Sequence, residues 1–191
     1  GYVIANQSSV RHALDVLLSL FGIAVFEDAG TLHFRSPGYD AVHQLGAEDV
    51  VQQPDVPAIA RFHEPEVELP VSVHLKHVDP VIDYQDTETS VGRTNRQSLR
   101  KQSLVAPLVA QRDVLAPVLA AWLHERWTGR QSVSFSLSNA QSHLTVGDTV
   151  ALNGDDMAQP WRIIRVEYSE AMTVTAKAIE HYEPQASSAA P

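Results

Sequence analysis

Nine histidines, at positions 12, 33, 43, 63, 74, 77, 124, 143 and 181, are the residues best suited to chemistry in this 191-residue chain. Neutral imidazoles bind zinc or another transition metal when two or more converge, most simply four apart on a helix. No H-x-x-x-H or H-E-x-x-H pair occurs here. His74 and His77 are the closest pair, and on a strand their spacing of three sends them to opposite faces. Solvated or hydrogen-bonded surface histidines are the better reading, and no metal ligand is assigned.

The carboxylates lead no further. Asn153-Gly-Asp-Asp156 could open a calcium loop, yet Asn153–Arg165 lacks the alternate ligands and closing glutamate of an EF-hand. A hairpin turn explains those residues without an ion. Val146-Gly-Asp148 is also turn chemistry, with Gly147 taking a positive φ and Asp148 capping. No G-x-S-x-G, P-loop or dinucleotide fingerprint is present. A glycosidase would need two carboxyl groups held about 5 to 9 Å apart, and 23 acids in a sequence do not place such a pair. No catalytic residue and no cofactor is assigned.

One polar stretch remains. Asp86–Lys101 gathers Arg93, Arg96, Arg100 and Lys101 without a regular apolar pattern. It reads as a long solvated connection or a hairpin arm reaching a neighbouring subunit. These four cations are the candidate inter-subunit contact.

The elements that position these residues follow from periodicity. Val114, Leu115, Val118, Leu119, Trp122 and Leu123 recur at helical spacing, so Asp113–Trp127 is expected to be a helix, with Asp113 as N-cap and Gly129 as its stop. Pro117 falls near the end of its first turn. Val133, Phe135 and Leu137 then alternate with serines, a strand of period two. Val146-Gly-Asp-Thr-Val150 turns the chain into a second strand, Trp161–Tyr168 gives a third and Thr173–Ile179 a fourth.

Upstream, Tyr2–Ile4 is a short leading strand, and Ser8 or Ser9 caps a helix through Phe21 that Gly22 ends. Ile23–Glu27 and Thr31–Arg35 flank Asp28-Ala-Gly30 as a hairpin. Such a β-α-β-β unit is too small to stand well alone. Leu45–Val51 is a short element, and a domain seam is expected at Gln52–Pro57. Glu66–Lys76 alternates with Val67, Leu69, Val71, Val73 and Leu75 on one face, and Pro70 points to an edge strand or a bulge. Val81–Gln85 reads as a strand, and Ser103–Val109 as another leading into the helix.

The totals bound what the chain can be. Hydrophobic residues make up 44% and charged residues 19%, ordinary globular composition. The net charge of −9 argues against a general nucleic-acid grip, which needs a basic face. With no cysteine, disulfides and thiolate metal sites are excluded. The longest apolar run, Val16–Phe26, is too short to span a bilayer, and no secretory signal is visible. The opening Gly and the linker-like tail 184–191 suggest part of a longer polypeptide.

The order of these motifs resembles a known family. Gly1-Tyr-Val-Ile4, Ser8-Ser-Val-Arg-His-Ala-Leu14, Phe21-Gly22 and Thr31-Leu-His-Phe-Arg35 resemble the hub segment of the large tail-tip proteins of gene transfer agents and siphophages. So do Asp83-Tyr-Gln85, Pro107-Leu-Val109, Trp127 with Arg130, Phe135-Ser-Leu137, Leu144–Val150, Trp161–Val166 and Ala176–Tyr182. Val146 departs from the family's usual proline before Gly147. The family is similar to contractile-tail and type VI spike hubs.

The resemblance implies an α+β, mainly β protein: an antiparallel β-barrel carrying one packed helix, plus a small β-α-β-β insert. Residues 1–52 would be the insert, 56–183 the barrel with helix 113–127, and 184–191 a linker-like tail. It implies a structural domain without catalytic residues, contacting other tail and baseplate proteins as a homotrimer, in the tail of a particle made in the bacterial cytoplasm. Two rivals differ in class. A carbohydrate-binding β-domain would use Trp122, Trp127 or Trp161 as sugar platforms, and a cell-wall hydrolase would need converging carboxylates in an open pocket.

Overall fold

The computed structural model describes residues 1, 10–36, 42–52, 57–94, 98–152, 159–168 and 173–181. The expected leading strand at Tyr2–Ile4, the Ser8 or Ser9 cap, most of the seam, Arg96, the Asn153–Asp156 turn and the 184–191 tail lie outside them. The protein is α+β and mainly β: two α-helices and eleven strands in three sheets among the described residues. By Cα proximity these form two compact units, one of residues 1–36 and 64–127, the other of 37–63 and 128–191. The grouping does not follow a single seam near residue 52, because the chain passes between the units three times.

The first unit opens with α1 (Val10–Leu20). Gly22 ends it with φ 64°, and the Ile23 N–H returns to the Leu18 carbonyl at 2.8 Å, a left-handed stop that suits a residue without Cβ. The hairpin β1 (Ala24–Asp28) and β2 (Thr31–Arg35) pairs as expected, with Ala29 and Gly30 at positive φ in the turn. Three more strands, β5 (Pro70–Asp79), β6 (Gln85–Gly92) and β7 (Arg100–Val109), form a separate sheet. β5 lies in the centre, antiparallel to β6 and parallel to β7.

The expected bulge is present, though Pro70 marks no edge. It is the first residue of a central strand, where a register shift between Pro70 and Ser72 absorbs the missing N–H. The expected alternation holds from Leu69 onward, with Leu69, Val73 and Leu75 buried and His77 and Asp79 continuing the face. Val67 is exposed, in a 3-10 turn before the strand. Val81–Gln85 is not a strand: Pro80–Ile82 is a 3-10 turn, and Asp83 and Tyr84 are left-handed. Asp86–Lys101 is corrected too, since β6 and the start of β7 occupy most of it.

The organising helix α2 runs Arg112–Thr128 and stops before Gly129. The Gln111 carbonyl accepts from the Val114 and Leu115 N–H groups, so the cap falls at Gln111, and Asp113 lies in the first turn. Pro117 sits inside the helix, where its ring removes one backbone bond. Leu115, Leu119, Leu123 and Trp127 are buried, Val118 and Trp122 are partly buried against them, and Val114 is 60% exposed. Their partners are Leu69 just before β5, Val73, Leu75, Ala106 and Leu108 of the three-stranded sheet, and Leu20 of α1. The helix thus packs on strands that precede it in the chain.

The second unit is a six-stranded sheet in the order β3-β9-β10-β11-β8-β4. Its members are β3 (His43–Leu45), β4 (Ile59–His63), β8 (Gln131–Leu137), β9 (Thr149–Leu152), β10 (Trp161–Tyr168) and β11 (Val174–Glu180). β3 runs parallel to β9, and every other pair is antiparallel. Val133, Phe135 and Leu137 point into a core shared with Leu45, Leu144, Val150, Trp161 and Ile163, while the serines between them are half-buried. Only five residues after edge strand β3, Val50 bridges Leu137 of β8, and Val51 N–H donates to Ser136 at 2.8 Å. Five residues span at most about 17 Å, so the sheet must curl its two margins toward each other.

Candidate functional site

Three of the four expected contact cations meet at one end of the three-stranded sheet, where β5 starts, β6 ends and β7 starts. Arg96 lies outside the described residues. The Arg93 N–H donates to the Val71 carbonyl at 2.8 Å, and its guanidinium sits 4.5 Å above the Trp127 ring. That ring is itself fixed, its Nε1 donating to the Pro70 carbonyl at 2.8 Å. Stacking on an indole suits the weakly hydrated, planar guanidinium.

Arg100 is held as firmly. Its Nη1 donates to the Glu68 carbonyl at 3.0 Å, and its backbone N–H donates to Ser98 Oγ at 3.3 Å. Ser98 is buried, and its hydroxyl donates to the Leu69 carbonyl. Lys101 is exposed, paired in register with Ser72. Arg93, Arg100 and Lys101 therefore sit at strand ends in defined positions. Nearby, Arg126 Nη2 donates to both Glu64 oxygens at 2.6 and 2.8 Å.

The histidines go separate ways. His74 faces outward, bonded to Ser72 Oγ at 3.1 Å and Glu88 Oε1 at 2.8 Å. His77 is buried on the other face, its Nε2 bonded to Thr89 Oγ1 at 2.8 Å. His43 and His143 meet edge-on at 5.9 Å. Among the described residues no three of His, Asp or Glu are placed to hold a metal ion. At the other turn of interest, Asp148 accepts from the Thr145 N–H at 2.6 Å and Gly147 takes φ 98°, the expected division of labour.

Of the tryptophans, Trp127 and Trp161 are buried and Trp122 packs partly against the helix core. A buried indole offers no face to a sugar, so the carbohydrate-platform reading loses two of its three residues. What sequence reasoning missed is the β5–β6 turn, whose Val81, Ile82 and Tyr84 are exposed. The signal was Asp79-Pro80, a turn-opening dipeptide, here with the Asp79 carboxylate accepting from the Val81 N–H at 2.8 Å. No helix among the described residues is long and apolar enough to cross a membrane.

The chain is thus mainly β, with a curled six-stranded sheet and a second, helix-backed sheet. The sequence profile of the family described as "Putative phage tail protein" matches residues 9–166, well over half of the chain. The chain belongs to that family. No curated protein matches.

Among solved structures, the chain is similar to one in the virion of a native gene transfer agent particle, with a TM-score of 0.85, 23% identity and coverage of 96% of this chain and 41% of that one. It is similar also to a tail protein from Neisseria meningitidis MC58 (TM-score 0.62, 11% identity, 93% of this chain and 57% of that one). A 43 kDa tail protein of prophage MuSo2 from Shewanella oneidensis is a further likeness (TM-score 0.58, 13% identity, 93% and 56%). At these identities the likeness is one of fold. The chain spans between 41% and 57% of the length of those proteins.

Proposed function

We propose that the chain is a hub domain at the tail tip of a phage or gene transfer agent, where it makes protein–protein contacts with other tail and baseplate proteins. The observation that carries this reading is the fold shared over 96% of the chain with a protein of a gene transfer agent virion, within a phage tail family. Its mechanism is mechanical: strand edges, apolar faces and placed charges are satisfied by neighbours, and the chain assembles as a homotrimer. Arg93, Arg96, Arg100 and Lys101 form one inter-subunit contact. Charge complementarity there sets register and rate of encounter more than affinity.

Electron microscopy of purified particles carrying a labelled copy of this chain tests the reading. Label is expected at the distal end of the tail, with threefold averaging sharpening the density. Label spaced along the tube, or absent from particles that still carry complete tails, would overturn it.

A further inference from the structure

The two ends of the three-stranded sheet differ in character. At the β5–β6 turn, Val81 is 69% and Tyr84 67% exposed, with Ile82 exposed between them. Single exposed apolar residues are ordinary, but three together on one turn are unusual on a surface facing only water. The turn is also held in a fixed form by the Asp79 carboxylate on the Val81 N–H and by two consecutive left-handed residues, Asp83 and Tyr84, each at φ 58°. Asp83 and Asp86 are exposed here, and no Lys or Arg occurs between Lys76 and Arg93. Arg112 and Asp113, just beyond β7, offset one another.

The opposite end carries Leu99, 86% exposed, and exposed Val67, with Arg93, Arg100 and Lys101 around them. Glu66 and Glu68 also lie here, so the cations prevail by a narrow margin. The Glu68 contact of Arg100 runs through the backbone carbonyl. β5 has ten residues, so the two ends stand about 30 Å apart.

We propose that these ends are the two halves of one head-to-tail contact between copies of this chain. The apolar, acidic β5–β6 turn of one copy docks on the apolar, basic end of the next. The inference rests on the hub reading and names the surfaces that join one subunit to another. A two-fold axis through either end would set like charge on like, and one that paired each turn with the partner's basic end would stop at a dimer. Two unlike patches at opposite ends instead make a heterologous contact, which closes into a ring when its rotation permits. The rigid turn helps, because residues already held in place lose little freedom on docking.

The chain contains no cysteine, so introduced thiols are the sole targets for a short bismaleimide. Tyr84→Cys alone and Leu99→Cys alone should each stay monomeric after treatment, whereas their equimolar mixture should give one heterodimer and nothing larger. The double variant should give covalent rings or a ladder. Adding Asp83→Lys with Asp86→Lys to the first partner should slow cross-linking about tenfold at low salt. Arg100→Glu with Lys101→Glu on the second partner should restore it, a result that loss of folding could not produce. The proposal is overturned if a single variant cross-links to itself as readily as the mixture does. It is equally overturned if the mixture yields no more dimer than Tyr84→Cys with Lys177→Cys. A chain found at tail tips that fails to cross-link would remove this contact and leave the hub reading standing.

Discussion

At the scale of single residues, burial decides consequence more than residue type does. Leu119 and Val114 are both apolar members of α2, yet Leu119 is fully buried and Val114 faces water. Leu119→Ala should cost on the order of 2–5 kcal/mol, and Val114→Ala should fall within about half a kcal/mol. Denaturant melts of the two variants check the pair together, and equal losses would mean that the helix presents another face. Tyr84 offers the opposite sign. It occupies a left-handed conformation that costs a residue with a Cβ about 1 kcal/mol and glycine almost nothing. Tyr84→Gly should therefore stabilise the fold by up to about 1 kcal/mol, less the added freedom of the unfolded chain. A lower melting midpoint would show that the tyrosine ring contributes packing that its exposure conceals.

Individual elements owe their form to neighbours that are remote in sequence. The turn that leads into β9 is tied by Asp148, whose carboxylate takes the Thr145 N–H and hydroxyl while the Ile163 N–H reaches the Asp148 carbonyl at 2.9 Å. Asp148→Ala should leave those donors without their acceptor and cost about 1–2 kcal/mol, with Asp148→Asn losing less. Thermal melts with far-ultraviolet circular dichroism would show it, and an unchanged midpoint for the alanine variant would assign the turn to Gly147 alone. The Arg93 stack on Trp127 belongs to the same scale. It places a cation at a strand end through an aromatic contact that neither residue's local sequence announces.

For the molecule as a whole, the expectations concern assembly and ligands. If the basic segment joins subunits, Arg96→Glu with Arg100→Glu should leave the melting point nearly unchanged, since an exposed charge such as Arg100 contributes little to folding. The same double reversal should impair incorporation into particles, measured by immunoblot of purified tails. Normal incorporation would move the interface elsewhere. Treatment with a chelator should leave the melting temperature unchanged, because no three possible ligands converge among the described residues. A fall of several degrees would reveal a metal bound where this reading places none.

The sequence by itself determined the local elements. The period of α2, the serine-apolar alternation of β8, the hairpin at Asp28-Ala-Gly30 and the turn at Gly147-Asp148 depend on neighbours within a few residues, and that information is written in order along the chain. The partnering of elements was decided by the tertiary structure. Nothing near Leu115 or Leu119 says whether they will meet Leu75, forty residues before, or Phe135, sixteen after, because an apolar face fits any apolar face of matching shape. Pro70 left an edge strand and a bulge both open because a proline lacks a donor; the pairing of β5 on both sides decided for a register shift at the first position of a central strand. The cations of 93–101 were legible as a cluster, but their assignment to one end of a sheet required the pairing of β5 with both β6 and β7. The exposed β5–β6 turn was illegible for a related reason. Val81, Ile82 and Tyr84 are strand-forming residues, and only the two left-handed positions that close the hairpin turn them outward.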